Sequence, residues 1–214
     1  MRARFWTIRA RPTWCAERPT QDMHERRFDP KKMDKLAAPD RGEHFPVAKV
    51  LDAVGACGML NVADIGCGTG YFTLPLARRV APGKVYAVDA SAALLEVLRS
   101  KLTAEGELKN VEVVQGVDTA TSLPEASCDL VFLSAVWHEI DDHAGALREF
   151  LRIAAPNAKL AIVDWRPDGI RPPGPPLEHR IARAEVERKL EEGGWGVVKS
   201  DVITSSTYLV VGQR

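Results

Sequence analysis

Residues 62–70 read Val-Ala-Asp-Ile-Gly-Cys-Gly-Thr-Gly, a strand-sized apolar run that breaks into alternating glycines just before a helix-compatible segment. Glycines allow a sharp strand-to-helix turn and let a ligand approach the main chain without meeting a Cβ. Around this turn the pattern predicts a strand over 61–65, a helix through 74–80 and a strand over 84–88, which is one βαβ unit. A helix over 45–54 precedes it, and Ser91 reads as the N-cap of a helix over 92–105 that Gly106 stops. Further strands are predicted over 111–114, 129–133 and 159–163, with a helix over 141–154 before the last of them. Parallel neighbours need long crossovers, so this alternation implies a parallel sheet with helices on both faces and ligands at the carboxyl ends of its strands. Beyond it, residues 166–176 hold five prolines, a helix is predicted over 180–192, and strands over 197–203 and 206–211 form an antiparallel hairpin at one edge. The expectation is an α/β fold: a seven-stranded, doubly wound sheet, mostly parallel, with an antiparallel C-terminal hairpin.

The 214 residues are 45% hydrophobic and 27% charged, with 29 Lys+Arg against 29 Asp+Glu, which describes one ordinary soluble domain. No run approaches the ~18 apolar residues of a membrane span. Cys15, Cys57, Cys67 and Cys128 show neither CxxC pairing nor zinc-ligand spacing, so a reducing, cytoplasmic compartment and no metal are expected. Residues 1–35 carry ten basic against five acidic side chains while the remainder carries 19 against 24, which disfavours a uniformly basic nucleic-acid binder. Residues 1–22 show no sustained period and are expected to be a disordered extension or to lie upstream of the true start; their Arg-rich composition also weakly fits a transit peptide. A single domain over 23–214 follows.

Nineteen residues after Gly70, Asp89 ends the second strand, where a carboxylate can accept hydrogen bonds from both ribose hydroxyls of a nucleoside. The spacing is GxGxG rather than the dinucleotide GxGxxG, which disfavours NAD. Gly70-Tyr71-Phe72-Thr73 supplies no lysine for a nucleotide triphosphate.

Asp-Ile-Gly-Cys-Gly-Thr-Gly followed by Val-Tyr-Ala-Val-Asp resembles the class I S-adenosylmethionine-dependent methyltransferases, over about residues 28–214. The resemblance implies a Rossmann-like fold and S-adenosyl-L-methionine as cofactor. It implies that Asp64 faces the methionine end, that Gly66, Cys67, Gly68 and Gly70 line the cofactor, and that Asp89, with Ala90 beside it, binds the ribose. Asp118, in Gln-Gly-Val-Asp, matches the acid that contacts the adenine amine, although Val117 separates it from Gly116 where the family more often has Gly-Asp; a plain turn former is the other reading. Cys-Asp-Leu-Val-Phe-Leu-Ser-Ala-Val-Trp-His-Glu-Ile resembles the fourth motif and brings in Ser134. Quinone-biosynthesis C-methyltransferases and their small-molecule relatives are the most similar group.

Methyl transfer from a sulfonium is an in-line displacement that needs alignment above all, and a base only where the acceptor must lose a proton. His138 is the candidate base, with Glu139 orienting it, or else it caps or packs the next helix. Trp137 is an aromatic lid over an apolar acceptor or ordinary packing, and Trp165 opens a proline-rich gate after the fifth strand. His179 and Arg180 either bind an acidic acceptor or begin the following helix, and the basic segment 26–35 is a cover over the site or a solvated face. Ser134-Ala135-Val136-Trp137 stands where methyltransferases of adenine or protein amides resemble one another in Asn/Asp-Pro-Pro-Tyr, so DNA is not an expected substrate. Cys57, Cys67 and Cys128 do not converge as a metalloid site would require. A small-molecule acceptor is expected; a non-catalytic cofactor-binding regulatory or assembly protein, or RNA methylation guided by residues 1–35, are the alternatives.

Overall fold

The computed structural model describes residues 39–106, 108–169 and 174–214, so the expectations for residues 1–22 and 26–35 lie outside the described residues. Seven strands, β1 (Val62–Ile65), β2 (Val85–Asp89), β3 (Val111–Gln115), β4 (Cys128–Ser134), β5 (Ala154–Trp165), β6 (Gly196–Val202) and β7 (Thr207–Gln213), form one sheet in the order β3-β2-β1-β4-β5-β7-β6. Strands β1 to β5 pair in parallel, and β7 runs antiparallel between β5 and β6. The expected seven-stranded, mostly parallel sheet with an antiparallel C-terminal hairpin is therefore what forms.

Successive side chains in a strand point to opposite faces, and here both faces are covered. Val62, Leu130, Phe132, Ala161 and Val163 bury one face with Phe45, Leu51, Leu76 and Val80, from the helices α1 (Arg41–His44), α2 (Val47–Val54) and α3 (Thr73–Val80) and the residues joining them. Ala63, Ile65, Val131, Leu133, Leu160 and Ile162 bury the other with Phe150 of α5 (His143–Ile153) and Leu190 of α6 (Arg183–Glu192). The helix α4 (Ala92–Glu105) packs Leu95 and Leu98 on Ala87 of β2. Each of the Val, Leu, Ile and Phe side chains buried in this way stabilises the fold by roughly 1.5–3 kcal/mol relative to exposure.

Local chemistry sets the ends of the elements. Ser91 Oγ accepts from Leu94 N–H at 3.4 Å to cap α4, and Gly106 ends it in the left-handed region. Phe45 was expected to open a helix running to 54; instead it closes α1, because Pro46 disfavours helical backbone in the residue before it, and α2 starts at Val47. The expected helix over 180–192 begins only at Arg183, since Leu177–His179 form a short 3-10 turn and the Arg180 guanidinium donates to the carbonyls of Pro175 and Arg166. Strand β7 lies inside β6 because its side chains are buried almost throughout, whereas β6 alternates with solvent.

Candidate active site

The sheet order reverses direction between β1 and β4, and a cleft of about 410 Å³ opens there at the carboxyl ends of β1, β2 and β4. This is where open α/β sheets bind ligands, and the volume falls within the usual range for small-molecule sites. Its floor is the glycine turn. Gly66 N–H and Cys67 N–H both donate to the Val88 carbonyl, at 2.8 and 3.1 Å, tying the turn to β2. Gly66 has φ +68, and a Cβ there would stand 2.4 Å from Val136 Cγ2, so only glycine lets the turn after β4 close over the one after β1.

Asp89 fastens the same turn from β2. Its Oδ2 accepts from Gly68 N–H and its Oδ1 from Ser91 N–H, each at 2.8 Å, so the carboxylate is oriented before any ligand arrives. Burial pushes its pKa up while these backbone N–H donors pull it down. Ala90, Asp118 and Ser134 join Gly66, Cys67, Gly68 and Asp89 on the cleft wall. Ser134 Oγ is buried there with no hydrogen-bond partner among the described residues, an arrangement a polar ligand group would complete.

Two of the expected residues stand behind the cleft. Asp64 is 2% exposed and accepts from the Thr73 hydroxyl at 2.6 Å; burial raises its pKa to about 7, with Asp89 adding to the rise and the Thr73 bond and Arg41 opposing it. Gly70 faces α4, where a Cβ would meet Leu98 Cδ1 at 2.5 Å, so its place is in helix-to-turn packing.

The expected acceptor residues do not gather at one point. Trp137 is fully buried in the core with α5, its ring 4.2 Å from that of His143. Trp165 lies on the opposite face of the sheet against Phe45 and His44, with the Arg180 guanidinium 5.4 Å from its ring. His179 sits in the 3-10 turn before α6 and does not line the cleft. His138 is buried behind the cleft wall with its ring Nδ1 2.8 Å from Asp164 Oδ1, and neighbouring Glu139 lines the cleft itself. Asp164, one residue past the strand expected over 159–163, was not among the expected site residues.

Arg41 was missed altogether. It reaches the cleft from α1, its guanidinium 4.3 Å from the Tyr71 ring. Burial lowers its pKa, while Tyr71 and Asp64 counter that. A short helix with no buried residue carries no periodic signal, so sequence pattern could not single it out.

Among the described residues no group of three His, Cys, Asp or Glu side chains is arranged to hold a metal ion, and no helix is long and apolar enough to cross a membrane.

The methyltransferase-domain family profile matches residues 63–162. The crystal structure of an S-adenosylmethionine-dependent methyltransferase from Aquifex aeolicus is 34% identical, superposes with a TM-score of 0.83, and is matched over 87% of this chain and 99% of that one. The chain belongs to the S-adenosylmethionine-dependent methyltransferase family. Demethylmenaquinone methyltransferase of Lactococcus lactis is 31% identical over 118 residues, 55% of this chain and 46% of that protein. Ubiquinone/menaquinone biosynthesis C-methyltransferase UbiE of Hahella chejuensis is 34% identical over 116 residues, 54% and 47% respectively. This methyltransferase family member thus spans about half the length of the curated relatives it matches.

Proposed function

We propose that the chain binds S-adenosylmethionine in the cleft between β1, β2 and β4 and transfers its methyl group to a small-molecule acceptor. The observation that carries this reading is the Asp89 carboxylate, fixed by Gly68 and Ser91 N–H groups beside a glycine turn that leaves the backbone open. Each Asp89 oxygen keeps acceptor capacity for a ribose hydroxyl. Ser134 Oγ, buried and unpartnered, fits a polar cofactor group, and Asp118 stands on the same wall for the adenine amine. Asp64 acts from behind the turn, holding Thr73 at the start of α3 and offsetting the charge of Arg41.

When bound, the sulfonium supplies an electrophilic methyl carbon and a good leaving group. The chain's own contribution is alignment: Gly66 and Val136 close the turns after β1 and β4 on one another, and Ala135, at φ +55, turns the chain sharply behind Ser134. Holding an acceptor in line can supply several kcal/mol of the barrier. The relatives named for demethylmenaquinone and for ubiquinone/menaquinone biosynthesis support an acceptor of the quinone class. The expected cytoplasmic location belongs to the same reading.

Calorimetric titration with S-adenosylmethionine and S-adenosylhomocysteine tests the proposal. Saturable binding is expected, and Asp89→Ala should weaken it by about 1–3 kcal/mol through loss of the ribose acceptor. Unchanged affinity in that variant would displace the ribose from Asp89, and absence of binding to folded wild-type chain would remove the cofactor reading.

A further inference from the structure

Three ionisable side chains form a line that begins in the core and ends in the cleft. Asp164, 1% exposed at the end of β5, accepts from both the backbone N–H and the ring of His138, at 3.0 and 2.8 Å. The other ring nitrogen, Nε2, lies 3.7 Å from Glu139 Oε1, and Glu139 is on the cleft wall. Trp165 N–H donates to Asp164 Oδ1 as well, at 2.7 Å, so that carboxylate has no freedom to turn away.

We propose that Glu139 is the group that meets the acceptor's acidic proton, with His138 as the next station for that proton and Asp164 as the positioning residue that holds the imidazole. The inference rests on the methyl-transfer reading above and narrows it to acceptors that lose a proton, such as a phenol O–H or the activated C–H of a hydroxylated aromatic ring. In such a transfer one bond forms between the acceptor and the methyl carbon, the S–C electron pair stays on sulfur, and one proton leaves the acceptor. Glu139 takes it up as its carboxylic acid; the 3.7 Å separation from His138 Nε2 is an ion-pair distance, so the partly exposed Glu139 side chain closes that gap to hand the proton on, and solvent finally receives it. Sequence order suggested that Glu139 orients His138; the distances assign the orienting role to Asp164 and put Glu139 between the imidazole and the cleft.

The charged groups facing the imidazole are Asp164 from β5, Glu139 from its own turn and Arg180 from the segment before α6, while Tyr208 of β7 neighbours Asp164. Burial works against the imidazolium, and the two carboxylates outweigh it, so the His138 pKa is raised. Asp164 accepting at Nδ1 places the ring proton of the neutral form there and leaves Nε2 open toward Glu139.

Nitrogen-15 NMR of the full chain, following the His138 ring from pH 5 to 9, tests the coupling without any acceptor. The neutral form is expected to carry its proton on Nδ1, and the midpoint to fall by at least about half a pH unit in Glu139→Gln and by more in Asp164→Asn. Glu139 is partly exposed, so its variant keeps the measurement available should the buried Asp164 variant fail to fold. An unmoved midpoint in Glu139→Gln, or a neutral ring protonated on Nε2, overturns the proposal. With 1,4-dihydroxynaphthalene as the probe acceptor, Glu139→Gln should lower kcat about a hundred-fold with far less change in KM for S-adenosylmethionine. Retained kcat in that variant overturns the proton role, whereas failure of the wild-type chain to bind S-adenosylhomocysteine would remove the methyl-transfer reading while leaving the NMR coupling intact.

Discussion

Asp164 grips His138 twice, at the backbone N–H and at the ring Nδ1, although 26 residues separate them in sequence. The grip joins the end of β5 to the 3-10 turn that follows β4, its parallel neighbour, whose carboxyl end lines the cleft through Ser134. It therefore links the sheet register directly to the placement of Glu139.

The pair should also leave a mark on stability. His138 has its pKa raised in the fold, so the folded state binds its proton more tightly than the unfolded chain does. Its contribution is full below the ordinary histidine value of 6.5 and is lost as pH rises through the raised folded value. Chemical denaturation of wild type and His138→Gln at pH 6 and pH 9 should show the larger gap at pH 6. A gap that widens toward pH 9 would contradict the raised value.

Asp64 should act with the opposite effect on charge. Its folded pKa of about 7 against an ordinary 3.8 means that the fold retains a proton which the unfolded chain has released. Stability should accordingly fall as pH rises from 3.8 to 7, by on the order of 4 kcal/mol for this group alone. Asp64→Asn keeps an acceptor for the Thr73 hydroxyl and removes the charge. Measured by denaturation, it should gain on wild type between pH 4 and pH 8; an equal difference at both pH values would show that Asp64 titrates normally.

Gly66 makes a steric prediction. Gly66→Ala places a methyl against Val136 and strains a left-handed backbone, so a loss of about 1–3 kcal/mol in stability and a clear loss of cofactor affinity are expected. Val136→Ala in the same chain takes away the 2.4 and 3.0 Å contacts and leaves only Cβ at 3.3 Å, so thermal melts with calorimetry should show partial recovery of both. No recovery would mean that backbone conformation alone, rather than the closing of the two turns, requires glycine.

The alternation of strands and helices was legible because both periodicities are local: Ser91, Gly106 and the apolar runs of β1, β2 and β4 fix their elements whatever lies elsewhere. The glycine turn and Asp89 were legible for the same reason, since a βαβ unit of about thirty residues builds that part of the cleft by itself. The Pro46 break and the late start of α6 were not read correctly because each depends on a neighbour that competes for the backbone, and β5 runs past the expected 159–163 because Ala154 pairs with Cys128 and Trp165 with Thr207, partners far away in sequence.

The sequence alone determined an α/β chain with a nucleoside-sized turn after its first strand and an acid after its second, because short-range pattern and backbone sterics set both. Tertiary structure decided that Arg41 enters the cleft, that Trp137 and Trp165 stand on opposite faces of the sheet, and that Asp164 holds His138. These last arrangements depend on parallel register, in which Ser134 lies beside Val163 and the ends of β4 and β5 meet. Register is set by the burial of both sheet faces at once, a collective property of the folded chain that no short window of sequence contains.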